Sequence, residues 1–211
     1  HPINKRHFVL IENVNGPPLS FIYSFDSHTN LAVMKTVYKT FTLILFLVIS
    51  VWGNTAFAQS NHGYAVDVLK GEGNVNGVKL AYQYHAPSLQ NLVGDARFYF
   101  ETSVNMWEYR HGDNSQSNLV LAMSPVLQFP AFSFHNTPFY IEAGIGVSLI
   151  DETKFAGKNI STHYQFEDRI GLVADFGHTN VALRVIHYSN AGFKEPNPGL
   201  NFLTLSVARR F

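Results

Sequence analysis

The chain has 211 residues, 15 basic and 15 acidic side chains, no net formal charge and no cysteine. Balanced charge argues against a nucleic-acid partner, because phosphate neutralisation needs a basic surface; the lack of Cys removes disulfide scaffolds, thiol catalysis and Cys-ligated zinc together. The 18 Phe and 10 Tyr beside only 14% charged residues suit either a large soluble core or a barrel that turns its apolar side chains outward to lipid.

Residues 1–33 precede Met34, begin with His1 and are read as an upstream extension with no functional part. From Met34, two lysines (Lys35 and Lys39) lead into an apolar run from Phe41 to Trp52, and Ala56-Phe57-Ala58 follows. A charged start, a short apolar stretch and a small-x-small site are the pattern of a secretory leader. About a dozen apolar residues are too few to span hydrocarbon as a helix. Residues 34–58 are therefore expected to be a cleaved signal peptide, leaving 59–211 as one exported domain.

After Ser60 no helical period is sustained. Alternation over runs of ten or so residues recurs instead, and it predicts strands at 61–72, 76–86, 92–110, 117–133, 138–151, 163–176, 180–191 and 200–211. Turn-forming breaks at Gly71–Gly77, Gly112–Asn118, Gly157–Thr162 and Lys194–Gly199 punctuate them. In the fifth strand Phe139, Ile141, Ala143, Ile145, Val147 and Leu149 form one row, and Tyr140, Glu142, Gly144, Gly146 and Ser148 the other. The sixth opposes Phe166, Ile170, Leu172, Ala174 and Phe176 to Glu167, Arg169, Gly171 and Asp175. A row mixing Gly with acids and Arg suits a narrow lumen, so Glu101, Glu142, Glu167, Arg169, Asp175 and Arg184 are expected to form an ion-pair network inside. The apolar row then faces lipid. Strands of this length cross a bilayer at a tilt, and the chain ends on a strand with terminal Phe211. The expected fold is all-β, an eight-stranded antiparallel transmembrane β-barrel; a soluble lipocalin-like barrel is the alternative.

With a leader-derived N-terminus on the periplasmic side, odd strands run outward. The seventh strand's lipid-facing row reads Val181, Leu183, Val185, then His187 and Ser189. Polar groups at the end of an apolar row are expensive unless they sit at the membrane interface or do chemistry. At spacing two they share a face, roughly 6–7 Å apart at Cα. That lets an imidazole take the proton of a serine nucleophile. Interfacial hydrogen bonding to headgroups would place the same pair there.

His187-Tyr188-Ser189-Asn190-Ala191-Gly192, followed by Pro196-Asn197 and Gly199, resembles the signature of the PagL-type lipid A 3-O-deacylases. Phe139–Val147 (FYIEAGIGV) and Phe166–Gly171 (FEDRIG) continue the similarity over essentially all of 59–211. The resemblance implies an outer-membrane enzyme, with Ser189 attacking the ester that holds a 3-hydroxyacyl chain at position 3 of lipid A. His187 would be general base and then general acid, and Asn190 and the Gly192 N–H would hold the oxyanion. It implies lipopolysaccharide as substrate, outer-membrane lipids as surroundings and no metal or organic cofactor; a homodimer is left open. An outer-membrane phospholipase or acyltransferase, or a barrel of the same fold with little catalysis and a structural or lipid-binding role, are the competing functions.

The family's third member is a Glu shortly after the Gly that opens the last strand. This chain has Leu200 and Asn201 there. Asn201 shares parity with Leu203, Leu205 and Val207, so its amide oxygen is a candidate to orient His187. A neutral amide supports imidazolium less than a carboxylate and is able to favour the wrong tautomer; the corresponding Asp→Asn change in a serine protease lowers turnover about 10⁴-fold. Asp168, expected nearly opposite Ser189 on the same row, is the other candidate, and Glu195 in the following loop a third.

Overall fold

The computed structural model describes residues 61–211, apart from 91 and 113. The extension and leader expected over 1–58 lie outside the described residues. Eight long strands, β1 (His62–Gly71), β2 (Val75–Tyr84), β3 (Arg97–His111), β4 (Asn114–Phe134), β5 (Thr137–Ile150), β8 (Tyr164–Asp175), β9 (Thr179–Ser189) and β10 (Leu200–Arg210), close into one barrel in the order β1-β10-β9-β8-β5-β4-β3-β2. Every neighbouring pair is antiparallel, and β10 closes the sheet on β1, with Gly71 opposite Phe202 and Val68 opposite Leu205. Closure leaves no unpaired edge, which is what a sheet in lipid requires. The sequence reading missed two small elements: a one-turn helix α1 (Pro87–Gln90) and a hairpin of β6 (Lys154–Phe155) and β7 (Lys158–Asn159).

The alternation resolves into two faces as expected. Outward side chains are apolar and exposed, as at Ile145, Ile170, Leu183, Val185, Leu203 and Leu205. Inward, the middle of the lumen is a charge network. Arg169 Nη1 lies 2.8 Å from Glu101 Oε1 and its Nη2 meets Glu167. Lys79 Nζ is 2.7 Å from the same Glu101 oxygen, and Arg184 Nε is 2.6 Å from Glu142 Oε1. Neutral donors complete the carboxylates: Tyr99 on Glu142 at 2.8 Å, Ser124 on Glu167 at 2.9 Å and Gln83 on Glu101 at 2.8 Å. Asp175 is held apart from this set, paired with Arg97 at 2.5 Å. Buried ions of this kind hold only when their remaining lone pairs and protons are satisfied. Glycines in the inward row make the room: a Cβ on Gly146 would meet Ser124 Oγ at 1.9 Å, and one on Gly171 would meet Arg184 Cγ at 2.8 Å.

Toward the end where β1, β3, β5 and β9 finish, the filling turns apolar. Trp107, Tyr188 and Phe202 pack together there with Phe155 and Ile160, which come from the β6–β7 segment. The hairpin thus caps this end of the barrel. The cap stands directly behind the C-terminal end of β9.

Candidate active site

Strand alternation at the end of β9 sends His187 and Ser189 outward, both half-buried, and Tyr188 inward with no exposure. Tyr188 is the anchor. Its ring lies 4.9 Å from that of Trp107, and its hydroxyl donates to Glu167 Oε2 at 2.7 Å. Packed and hydrogen-bonded, it fixes the backbone from which the His and Ser project.

Neighbouring strands supply the surroundings of His187. Asn201 pairs with it on β10 and Asp168 on β8, so the three side chains stand abreast on the outer face. Directly opposed pairs have Cβ atoms about 4.5–5.5 Å apart. Ser189 is opposite Phe166, not Asp168. The expected pairing was two residues out because the β8–β9 turn is centred on Gly177 and His178, one residue earlier than a turn over 177–180. Asp175 Oδ1 accepts the Gly177 N–H at 2.8 Å and Phe176 N–H donates to Thr179 O at 2.9 Å, which closes the turn around Gly177 and His178. A shift of two keeps the face, so Asp168 remains on the outer row.

Of its two flanking groups, His187 turns to Asn201: Nδ1 lies 2.7 Å from Asn201 Oδ1. The other half of that amide is also engaged. Asn201 Nδ2 donates to Glu72 Oε1 at 2.5 Å, and Lys158 Nζ donates to Glu72 Oε2 and, at 3.0 Å, to Gly199 O. Glu72 follows β1, Lys158 stands on β7 and Gly199 ends the β9–β10 loop, so three loops meet beside the imidazole. The Asn201 hydrogen bond and then the Lys158 ammonium hold the Glu72 carboxyl below the usual carboxylate range.

Gly199 also forms the seat of the ring. It has φ +65°, and a Cβ there would come within 2.5 Å of His187 Cε1 and 3.2 Å of Nε2. Gly199→Ala should therefore push the imidazole aside and lower kcat about a hundredfold, the scale of a 1 Å misplacement. Gly177→Ala is the control: its φ is +85° but a Cβ meets nothing within 4 Å, so it carries the backbone strain and keeps wild-type kcat. Equal activity of the two variants would refute the seat.

The loop after Ser189 is tied from within. Asn190, fully buried, donates through Nδ2 to Lys194 O at 2.8 Å and to Ile160 O at 3.3 Å, and its Oδ1 accepts the Gly192 N–H at 3.0 Å. Its side-chain amide is thus spent on the loop. Glu195 is likewise used locally, accepting the Asn197 N–H at 2.9 Å.

The chain is similar to known proteins. A family model described as lipid A 3-O-deacylase (PagL) matches residues 76–210. The chain belongs to the lipid A 3-O-deacylase family. A lipid A deacylase PagL of Pseudomonas aeruginosa is 34% identical over 127 residues, 60% of this chain and 72% of that protein. One of Bordetella bronchiseptica is 49% identical over 74 residues, 35% of this chain and 42% of the relative. The crystal structure of the outer membrane enzyme PagL is similar at 27% identity and a TM-score of 0.56, covering 71% of this chain and 99% of that one. The barrel is accordingly an outer-membrane barrel.

Within this deacylase family's frame, sequence reasoning missed Glu72 and Lys158. Glu72 was read as the last residue of the first expected strand, where the Gly71–Gly77 break begins, and Lys158 as part of the Gly157–Thr162 break; the two are 86 residues apart. The one available signal was barrel closure, which sets the end of β1 beside the start of β10.

Proposed function

We propose that this chain hydrolyses the ester linking a 3-hydroxyacyl chain to position 3 of lipid A in lipopolysaccharide, with Ser189 as nucleophile and His187 as its base. The observation that carries the reading is the fixed imidazole. Asn201 Oδ1 takes the Nδ1 side of the ring, which leaves Nε2 to accept a proton from the residue two places along the same face. Family membership supplies the substrate.

In this scheme Ser189 Oγ attacks the ester carbonyl carbon while its proton passes to His187 Nε2. The tetrahedral intermediate expels the sugar oxygen, which takes that proton, and leaves an acyl-serine. Water then attacks the acyl carbon, giving its proton to the same nitrogen, and Ser189 leaves with it as the 3-hydroxy acid departs. The Gly192 N–H is the oxyanion donor in this scheme: it now bonds a neutral amide oxygen, and a developing oxyanion competes well for it because charge-assisted hydrogen bonds are about twice as strong. Asn190 keeps the loop in place for that exchange. Asn201 is the orienting third member, with Asp168 a carboxylate on the ring's opposite flank.

The site end of the barrel faces the outer leaflet in this reading. Its support is the parity of the strands: β1 starts at the far end, where a chain exported behind a leader would enter. His187 and Ser189 then stand at the upper edge of the apolar belt, at the depth of lipid A ester bonds. Mass spectrometry of lipid A from cells making the chain, against cells without it, tests the function. Loss of one 3-hydroxyacyl chain is expected. Unchanged lipid A with altered phospholipids would replace the substrate, and no change in either would reduce the barrel to a structural or lipid-binding role.

A further inference from the structure

The geometry points to Glu72 as the positioning residue that sets the tautomer of His187, acting through Asn201. The inference rests on the deacylase reading above and deepens it. An ionised carboxylate only accepts hydrogen bonds, whereas an Asn side chain offers a donor end and an acceptor end of nearly equal size. Glu72 Oε1 lies 2.5 Å from Asn201 Nδ2. The reversed amide would aim its carbonyl oxygen at the carboxylate, lose that bond and add repulsion. Glu72 thereby turns Asn201 Oδ1 toward His187, 2.7 Å from Nδ1.

An acceptor at Nδ1 requires the proton on Nδ1. The lone pair is then on Nε2, as a base for Ser189 requires. With Glu72 gone, nothing in this chain of contacts distinguishes the two ends of the amide. Reversed, Asn201 Nδ2 would donate to an unprotonated Nδ1, the ring proton would move to Nε2, and the base would be blocked. A negative charge behind the amide also polarises it toward the imidazolium that forms during proton transfer.

Lys158 completes the arrangement from the other side, bonding Glu72 Oε2 and the Gly199 carbonyl. One ammonium thus holds both the carboxylate that orients the amide and the residue on which the ring rests. The carboxylate absent at position 201 is present one hydrogen bond further out, contributed by the turn that follows β1.

Steady-state deacylation of purified lipid A by the full barrel in detergent micelles tests this, with migration of unheated protein on gels as the check of folding. Glu72→Ala and Glu72→Gln should each lower kcat about ten- to a hundredfold, the scale on which losing the outer partner of a metal-bound imidazole acts, with KM little changed. Asn201→Glu puts a carboxylate directly on Nδ1 and should rescue the Glu72→Ala protein. In that background Glu72 becomes a like charge beside Glu, so removing it should leave kcat equal or higher. The reversal of sign is the signature, since a carboxylate that only braced the loops would be missed equally in both backgrounds. Full kcat in Glu72→Ala and Glu72→Gln, or the same fractional loss with Asn201→Glu, overturns the relay and leaves the deacylase standing. A wild-type protein without deacylation overturns the function on which it rests.

Discussion

Ser189→Ala should abolish release of the acyl chain, and His187→Ala should lower turnover about 10⁴-fold or more, in the range seen when members of a serine triad are removed. Neither change should disturb the barrel. Both side chains point outward from β9, while the residue between them, Tyr188, carries the packing against Trp107 and the bond to Glu167. Lipid contact is spread over the exposed belt, so KM should change little and the loss should fall in kcat. The two residues act on one proton, so the double variant should be no worse than the more damaged single one. Release of 3-hydroxy acid from lipid A, quantified by mass spectrometry under single-turnover conditions, gives the rates. Substantial turnover by Ser189→Ala would mean that His187 activates water directly, and the acyl-serine would have to be abandoned.

The strands and their faces were legible because period-two alternation is a local property. Phe139 to Leu149 needs no partner to declare which side is greasy, and the inward acids and arginines follow from the same parity. Placement of His187 and Ser189 followed as well. What failed was set by contacts that the alternation does not encode, one inside a turn and one between distant segments. The β8–β9 pairing depends on whether Asp175 or Gly177 opens the turn, and the Asp175 side chain decides it by accepting the Gly177 N–H. Asp168 accordingly stands opposite His187 and not Ser189. Glu72 was invisible for a stronger reason: its partner Asn201 is 129 residues away, joined to it only by closure of β10 on β1. Asn201 alone reads as a weakened third member. Asn201 with Glu72 behind it reads differently, and no local pattern in either segment announces the pair.

The position of the site also explains the two-layered filling of the barrel. Exposed lipid-facing side chains cannot hold one another rigidly, so rigidity has to come from inside. The apolar cap of Trp107, Phe155, Ile160, Tyr188 and Phe202 backs the end of β9, and the same β6–β7 segment reaches over to the site loops. Lys158 bonds Glu72 and Gly199, Ser161 Oγ donates to Pro196 O at 2.6 Å, and Ile160 O accepts from Asn190. A segment read in the sequence as a mere break is therefore the clasp between lumen and site.

Arg169→Met should destabilise the barrel by about 3–5 kcal/mol, the usual result of removing one partner from a buried ion network. Arg169 is buried, and its guanidinium bridges Glu101 at 2.8 Å and Glu167. Without it Lys79 is left as the ammonium for both carboxylates, 2.7 Å from Glu101 and 3.6 Å from Glu167. Met retains much of the apolar stem, so the loss reports the stranded charge more than an empty space. Urea unfolding in micelles, followed by the mobility of unheated protein, measures it. Glu167 also receives the Tyr188 hydroxyl, which links the network to the strand between His187 and Ser189. The variant should therefore lose turnover at temperatures where it is still folded, whereas Arg97→Met, at the separate Asp175 pair, should keep it. A stable Arg169→Met barrel would mean that Lys79 and the neutral donors suffice for both carboxylates. Stability lost with turnover intact would cut the link from the lumen to the active site.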